Sequence, residues 1–231
     1  CDVGRFGQGW FVQEAGHVVL QGLDVGQYSD SEGLYEMKGG TFTLSGNLRI
    51  GDNGKGAFRQ TGGEVTIATL SPIKIGPGYQ GDGTYEILGG SMNCDQIRIG
   101  ERGTGRFVQE SSYGALRLYG GSYELHGGHL TGKKVLIGLQ SACTFVQTGG
   151  LHACNGTLSI GEAADLATYR ISGGTLRCHV LDLGVEGAGL MDITSSIPHI
   201  DVEQQLNLGP DATLCSATNA AIHMTGSDFD C

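Results

Sequence analysis

Two stretches have the residue types and spacing of phosphate-binding loops. Gly76-Pro77-Gly78-Tyr79-Gln80-Gly81 fits GxGxxG, and Gly127 to Lys133 approaches a P-loop. Both motifs work by aiming a helix N-terminus at phosphate oxygens, so each needs a helix next. The first runs instead into Asp82-Gly83-Thr84-Tyr85, which enters a strand. The second carries Lys134 where Ser or Thr would hold Mg²⁺, and no helix pattern follows. Both read as chain corners. A GxSxG nucleophile elbow and the calcium nonapeptide pattern are absent, so no catalytic, cofactor-binding or metal residue is assigned and an enzyme is not expected.

Histidine and cysteine supply the other candidates. His126 and His129 lie three apart around a Gly pair, a spacing that shares a face on a helix but not across a corner, so two solvated histidines are the preferred reading. His152, Cys154, Cys178 and His179 form a second group. Cys94, Cys154 and Cys178 fall at the same offset after a Gly pair as Leu44 and Ile67, which marks an inward apolar column. Cys154 and Cys178 belong to successive repeats and are expected as a disulfide or a buried thiol pair rather than a metal site. The chain has 7 cysteines and no CxxC pair, which suggests structural disulfides and an oxidising compartment. The candidates are Cys1, Cys154, Cys178, Cys215 and Cys231.

The elements that position these residues recur. One column reads Phe11-Val12-Gln13, Tyr35-Glu36-Met37, Phe58-Arg59-Gln60, Tyr85-Glu86-Ile87 and Phe107-Val108-Gln109, continuing to Met191-Asp192-Ile193. Its spacings are 24, 23, 27, 22, 16, 22, 24 and 22. A second column reads Leu48-Arg49-Ile50-Gly51, Ile73-Lys74-Ile75-Gly76 and Ile97-Arg98-Ile99-Gly100, and a third short segment such as Thr41-Phe42-Thr43-Leu44 lies between them. Apolar–polar–apolar alternation gives a strand with one buried face. One such repeat cannot bury its own apolar face, but a stack can. The expected fold is therefore all-β: a single parallel β-helix over 1–231, of about nine coils with three short strands each. Phe pairs with Gln at 11/13, 58/60, 107/109 and 145/147, while Tyr pairs with an aliphatic residue or Met in the alternate repeats. Each buried Gln is expected to hydrogen-bond a corner backbone group or a neighbouring Tyr hydroxyl, because an unpaired buried amide is costly. Phe58, Tyr85, Ile50, Ile75, Ile99 and Leu183 should be buried, and Arg49, Lys74, Arg98 and Asp182 exposed. The 16-residue step between Phe107 and Tyr123 marks an irregular coil in which Leu116-Arg117-Leu118 is expected to replace two of the usual strands.

Composition sets outer limits. Glycine contributes 42 of 231 residues, well above the usual ~7%, without the every-third-residue period of collagen. A net charge of −10 argues against nucleic acid and anionic membrane partners, and no apolar run is long enough to span a bilayer. Only Thr41-Phe42-Thr43 fits a Thr-x-Thr ice-binding ladder, so that reading is discounted.

Gly-Thr-Gly-Arg-Phe-Val-Gln at 103–109 and Gly-Asp-Gly-Thr-Tyr-Glu-Ile-Leu-Gly-Gly at 81–90 resemble repeats of autotransporter-like and other large secreted bacterial β-helix proteins. The resemblance implies an extracellular or cell-surface protein of structural or adhesive type. The alternative is a carbohydrate-binding or polysaccharide-cleaving β-helix, with glycans as partners. Neither terminus reads as a cap: Cys1-Asp2-Val3-Gly4 fits the second column, and Phe229-Asp230-Cys231 can occupy it too. Complementary open ends predict head-to-tail self-association with Cys1 near Cys231, unless the chain is cut from a longer solenoid or Cys215 and Cys231 staple a local cap.

Overall fold

The computed structural model describes residues 1–231 apart from 69–70, 95, 110–115, 164, 196–197, 218–219, 226–227 and 231. Every strand pairing is parallel, and the described residues contain no helix. The period-2 alternation does what it should: in Lys55–Gln60, Gly56, Phe58 and Gln60 turn inward while Lys55 and Arg59 face solvent. Successive copies of this segment stack into a ten-stranded sheet, so nine coil-to-coil steps separate its first and last strands. The second column stacks into a twelve-stranded sheet. The third segment forms a four-stranded sheet from His17–Leu20, Thr41–Leu44, Glu64–Ile67 and Ser91–Asn93. The chain is a β-solenoid of about nine turns, as the repeat spacing required.

Three strands per coil hold only in the first half. After Ser91–Asn93 the third segment fuses with the second column into single strands of 9 or 10 residues, such as Leu151–Ile160 and Thr175–Leu183. The corner between the two segments, Asn155-Gly156-Thr157 in one coil and His179-Val180 in the next, no longer breaks the ladder. The leftover bend survives as register shifts between Cys154 and Thr157 and between Cys178 and Val180. In the irregular coil, Leu116–Leu118 keeps one strand, in the twelve-stranded sheet; residues 110–115 lie outside the described set.

An aromatic column runs through the core. From Phe11 through Tyr35, Phe58, Tyr85, Phe107, Tyr123 and Phe145 to Tyr169, successive ring centroids stand 4.5 to 5.1 Å apart. In-register parallel strands force this spacing, since neighbours lie about 4.8 Å apart. Phe58, Tyr85, Ile50, Ile75, Ile99 and Leu183 are fully buried, as expected. Arg49, Lys74, Arg98 and Asp182 are half-buried rather than exposed, because each outward side chain packs between the outward side chains of the coils above and below. Glycine is obligatory where corners stack: Gly76 has φ +62°, and a Cβ there would stand 2.1 Å from the Thr104 carbonyl oxygen.

Candidate functional site

The two loop-like motifs are structural. Gly76 to Gly81 forms a corner, with the Gly81 N–H donating to the Gly78 carbonyl at 3.0 Å, and the strand Asp82–Ile87 follows at once. Gly127 to Lys133 enters the strand His129–Ile137, so no helix N-terminus is presented by either stretch.

The histidine pair is split by its corner. His126 approaches Thr148 Oγ1 at 2.8 Å and Glu124 at 3.2 Å, while His129 is exposed and its carbonyl accepts from Gln109. In the second group, His179 faces outward to Glu203 at 3.0 Å, whereas His152, Cys154 and Cys178 all point into the core. Among the described residues no group of three or more His, Cys, Asp or Glu side chains is placed to hold a metal ion.

Cys154 and Cys178 are register partners in adjacent strands, as their equal offsets required, and both stand as free thiols. No bridge joins them in this structure. Burial raises both thiols and pushes Cys143 up to about 12, so all three are held in the unreactive protonated form. Cys1 and Cys215 are exposed free thiols, and Cys231 lies outside the described residues.

The buried polar groups form one repeating device. Tyr85 donates to Gln60 Oε1 at 2.9 Å, and Gln60 Nε2 donates to the carbonyls of Gly63 at 3.2 Å and Ser91 at 2.9 Å. The same triangle recurs for Tyr35 and Gln13 with Thr41, for Tyr123 and Gln109 with His129, and for Tyr169 and Gln147 with Thr175. Each Gln therefore satisfies its own corner and ties its coil to the next. This also explains the alternation: a Gln in every coil would leave no hydroxyl to fill its acceptor, and a Tyr in every coil no acceptor for its hydroxyl. His152 replaces a member of the inward column Leu130, Leu176 and Ile200, and its Nδ1 lies 2.9 Å from the Tyr169 hydroxyl. Tyr169 donates to Gln147, so His152 must donate through Nδ1, leaving a bare Nε2 buried without a partner.

The two outer faces are charged in different ways. On the ten-stranded sheet three arginines each stand beside a carboxylate of the next coil. Arg59 meets Glu86 at 3.6 Å, Arg106 meets Glu124 at 2.8 Å, and Arg170 meets Asp192 at 3.0 Å. The hydrogen bonds from Arg106 hold the Glu124 carboxyl below its usual range. On the twelve-stranded sheet, Arg49, Lys74, Arg98 and Arg117 follow one another in register. Sequence reading placed the first three on the wet face but missed the row, because four similar residues in separate repeats become a feature only when the coils are superposed. Aligning the second column alone would have displayed it.

No protein-family model matches the chain, and neither a curated protein nor a solved structure matches it at a significant level.

Proposed function

We propose that this chain is an extracellular structural or adhesive rod that associates end to end with further copies of itself. The observation that carries this reading is the use of the interior. The aromatic column and the Gln/Tyr triangles all serve the joining of one coil to the next. The first and last members of that column, Phe11 and Leu214, are 42% and 44% exposed, while Phe58 and Met191 within it are fully buried. In the proposed association a coil of a second copy covers that surface and pairs in parallel with Gln8–Gln13 or Ala212–Ser216, a contact that propagates rather than closes. The secreted bacterial β-helix repeats that 81–90 and 103–109 resemble support the surface location.

Sedimentation velocity over a wide concentration range tests the association. Wild type should grow into longer species as concentration rises, and Phe11→Asp, which puts a charge on the open column, should stay single. One species at every concentration for the wild type would overturn the self-association.

A further inference from the structure

The row Arg49, Lys74, Arg98 and Arg117 sets like charges side by side, and that arrangement points to a ligand. Directly opposed like charges destabilise a sheet. The ten-stranded sheet of this same molecule pairs no two cations in register among the described residues and sets Arg beside Glu or Asp instead. On the twelve-stranded sheet, four cations occupy four consecutive coils, in a chain whose net charge is −10. Their inward neighbours, Ile50, Ile75, Ile99 and Leu118, are fully buried, so all four face solvent.

Carboxylates compensate only part of the row. Arg49 meets Asp24 at 2.7 Å and Asp52 at 3.6 Å, and Glu101 is shared between Lys74 at 3.2 Å and Arg98 at 3.1 Å. Arg117 is exposed and lies at the end of the row. Beside the row a groove of ≈ 420 Å³ is lined by Arg49, Lys74, Glu101, Arg102, Tyr119 and Gln140 among others. Arg102 stacks over Tyr79 at 5.0 Å, and that ring is 77% exposed.

We propose that this row binds a linear, carboxylate-bearing polysaccharide lying along the solenoid axis. The cations stand one ladder step apart, about 4.8 Å, so the row offers a line of charge roughly 14 Å long. Arginine forks accept carboxylates in two-point contact. Glu101, Asp52, Gln140 and the tyrosines suit the other half of such a ligand, its hydroxyl groups and apolar ring faces. A nucleic acid is the poorer fit, since single strands bind through aromatic faces on which successive bases stack, and here Arg102 already covers the Tyr79 ring. The proposal does not depend on end-to-end association, because a rod that stays single carries the same row.

Titration calorimetry with oligomeric polygalacturonate tests it, with a neutral glucan and oligo-dT as comparison ligands. Wild type should bind the uronate oligomer at low salt, weaken at least tenfold as salt is raised, and ignore the glucan. Lys74→Gln with Arg98→Gln should lose at least tenfold in affinity, while Arg170→Gln on the opposite sheet should bind as wild type does. Should the double variant fold poorly, Arg117→Gln gives an independent reading, because its exposed side chain can be shortened without disturbing the core; a several-fold loss is expected. No binding at low salt, unchanged binding by the row variants, or preference for oligo-dT would each overturn the proposal.

Discussion

Acid should weaken this solenoid through one residue, His152. Its imidazole is completely buried beside the stacked rings of Phe145 and Tyr169, with ring centroids 5.2 and 5.9 Å away, and burial lowers its pKa from 6.5 to about 3. Protonation would put a charge and an N–H at Nε2, which faces no partner. The folded state therefore keeps His152 neutral, while the unfolded chain takes up a proton below about pH 6.5. Stability from this group is full above that pH and falls as the pH drops towards 3. At pH 5 the unfolded side gains about 1.5 pH units of proton binding, worth about 2 kcal/mol at 1.36 kcal/mol per unit. Urea unfolding followed by circular dichroism at pH 7.5 and pH 5, on wild type and His152→Leu, isolates the effect because every other titrating group is shared. Leucine suits the site, since the register neighbours are Leu130 and Leu176. At pH 7.5 the variants should agree within about 1 kcal/mol, because the substitution removes one hydrogen bond together with the orphaned nitrogen. At pH 5 His152→Leu should be more stable by about 2 kcal/mol relative to that baseline. A wild type minus variant difference that does not move between the two pH values would refute the assignment.

Other outcomes follow from the same packing. Gln60→Leu should destabilise by about 1–3 kcal/mol, since it strands the Tyr85 hydroxyl and takes a donor from the Gly63 and Ser91 carbonyls, and adding Tyr85→Phe should recover part of the loss in a double-mutant cycle. Ile99→Ala should cost about 2–5 kcal/mol through lost burial and a cavity, while Arg98→Ala, half-exposed and paired at the surface, should cost under about 1 kcal/mol. Equal losses in chemical denaturation would mean that the strand register is wrong. Iodoacetamide under native conditions should label Cys1 and Cys215 rapidly and Cys143, Cys154 and Cys178 only after unfolding, as read by peptide mass spectrometry.

The fold was legible in the sequence because a solenoid repeats its instructions. Phe58, Tyr85 and Phe107 sit at one phase of the strand alternation and the Gly pairs at another, so coil, face and register could be read together. The Gln/Tyr bonding was legible for a chemical reason: a Gln at an inward position must find partners, and the only polar side chain alternating with it is Tyr. What escaped was set by how coils meet. The fusion of the third segment with the second column was not legible in corner length, since Leu44–Leu48 and Cys154–Leu158 each enclose three residues and only the second is fused. The partial burial of Arg49, Lys74 and Arg98 arises from packing against outward neighbours in other coils. The His152 environment was within reach, because His152 stands two residues after Gly150 just as Leu176 follows Gly174 and Phe42 follows Gly40. For Cys154 and Cys178 the expectation of a disulfide or a buried thiol pair rested on their place in successive coils; they are register partners, and the described thiols stand unbridged.

Immunogold electron microscopy on intact, unpermeabilised cells of the source tests the proposed surface role most directly. Label should decorate the outer surface, along rods or strings of rods, before any permeabilisation. Label confined to the interior, appearing only after the envelope is opened, would contradict it.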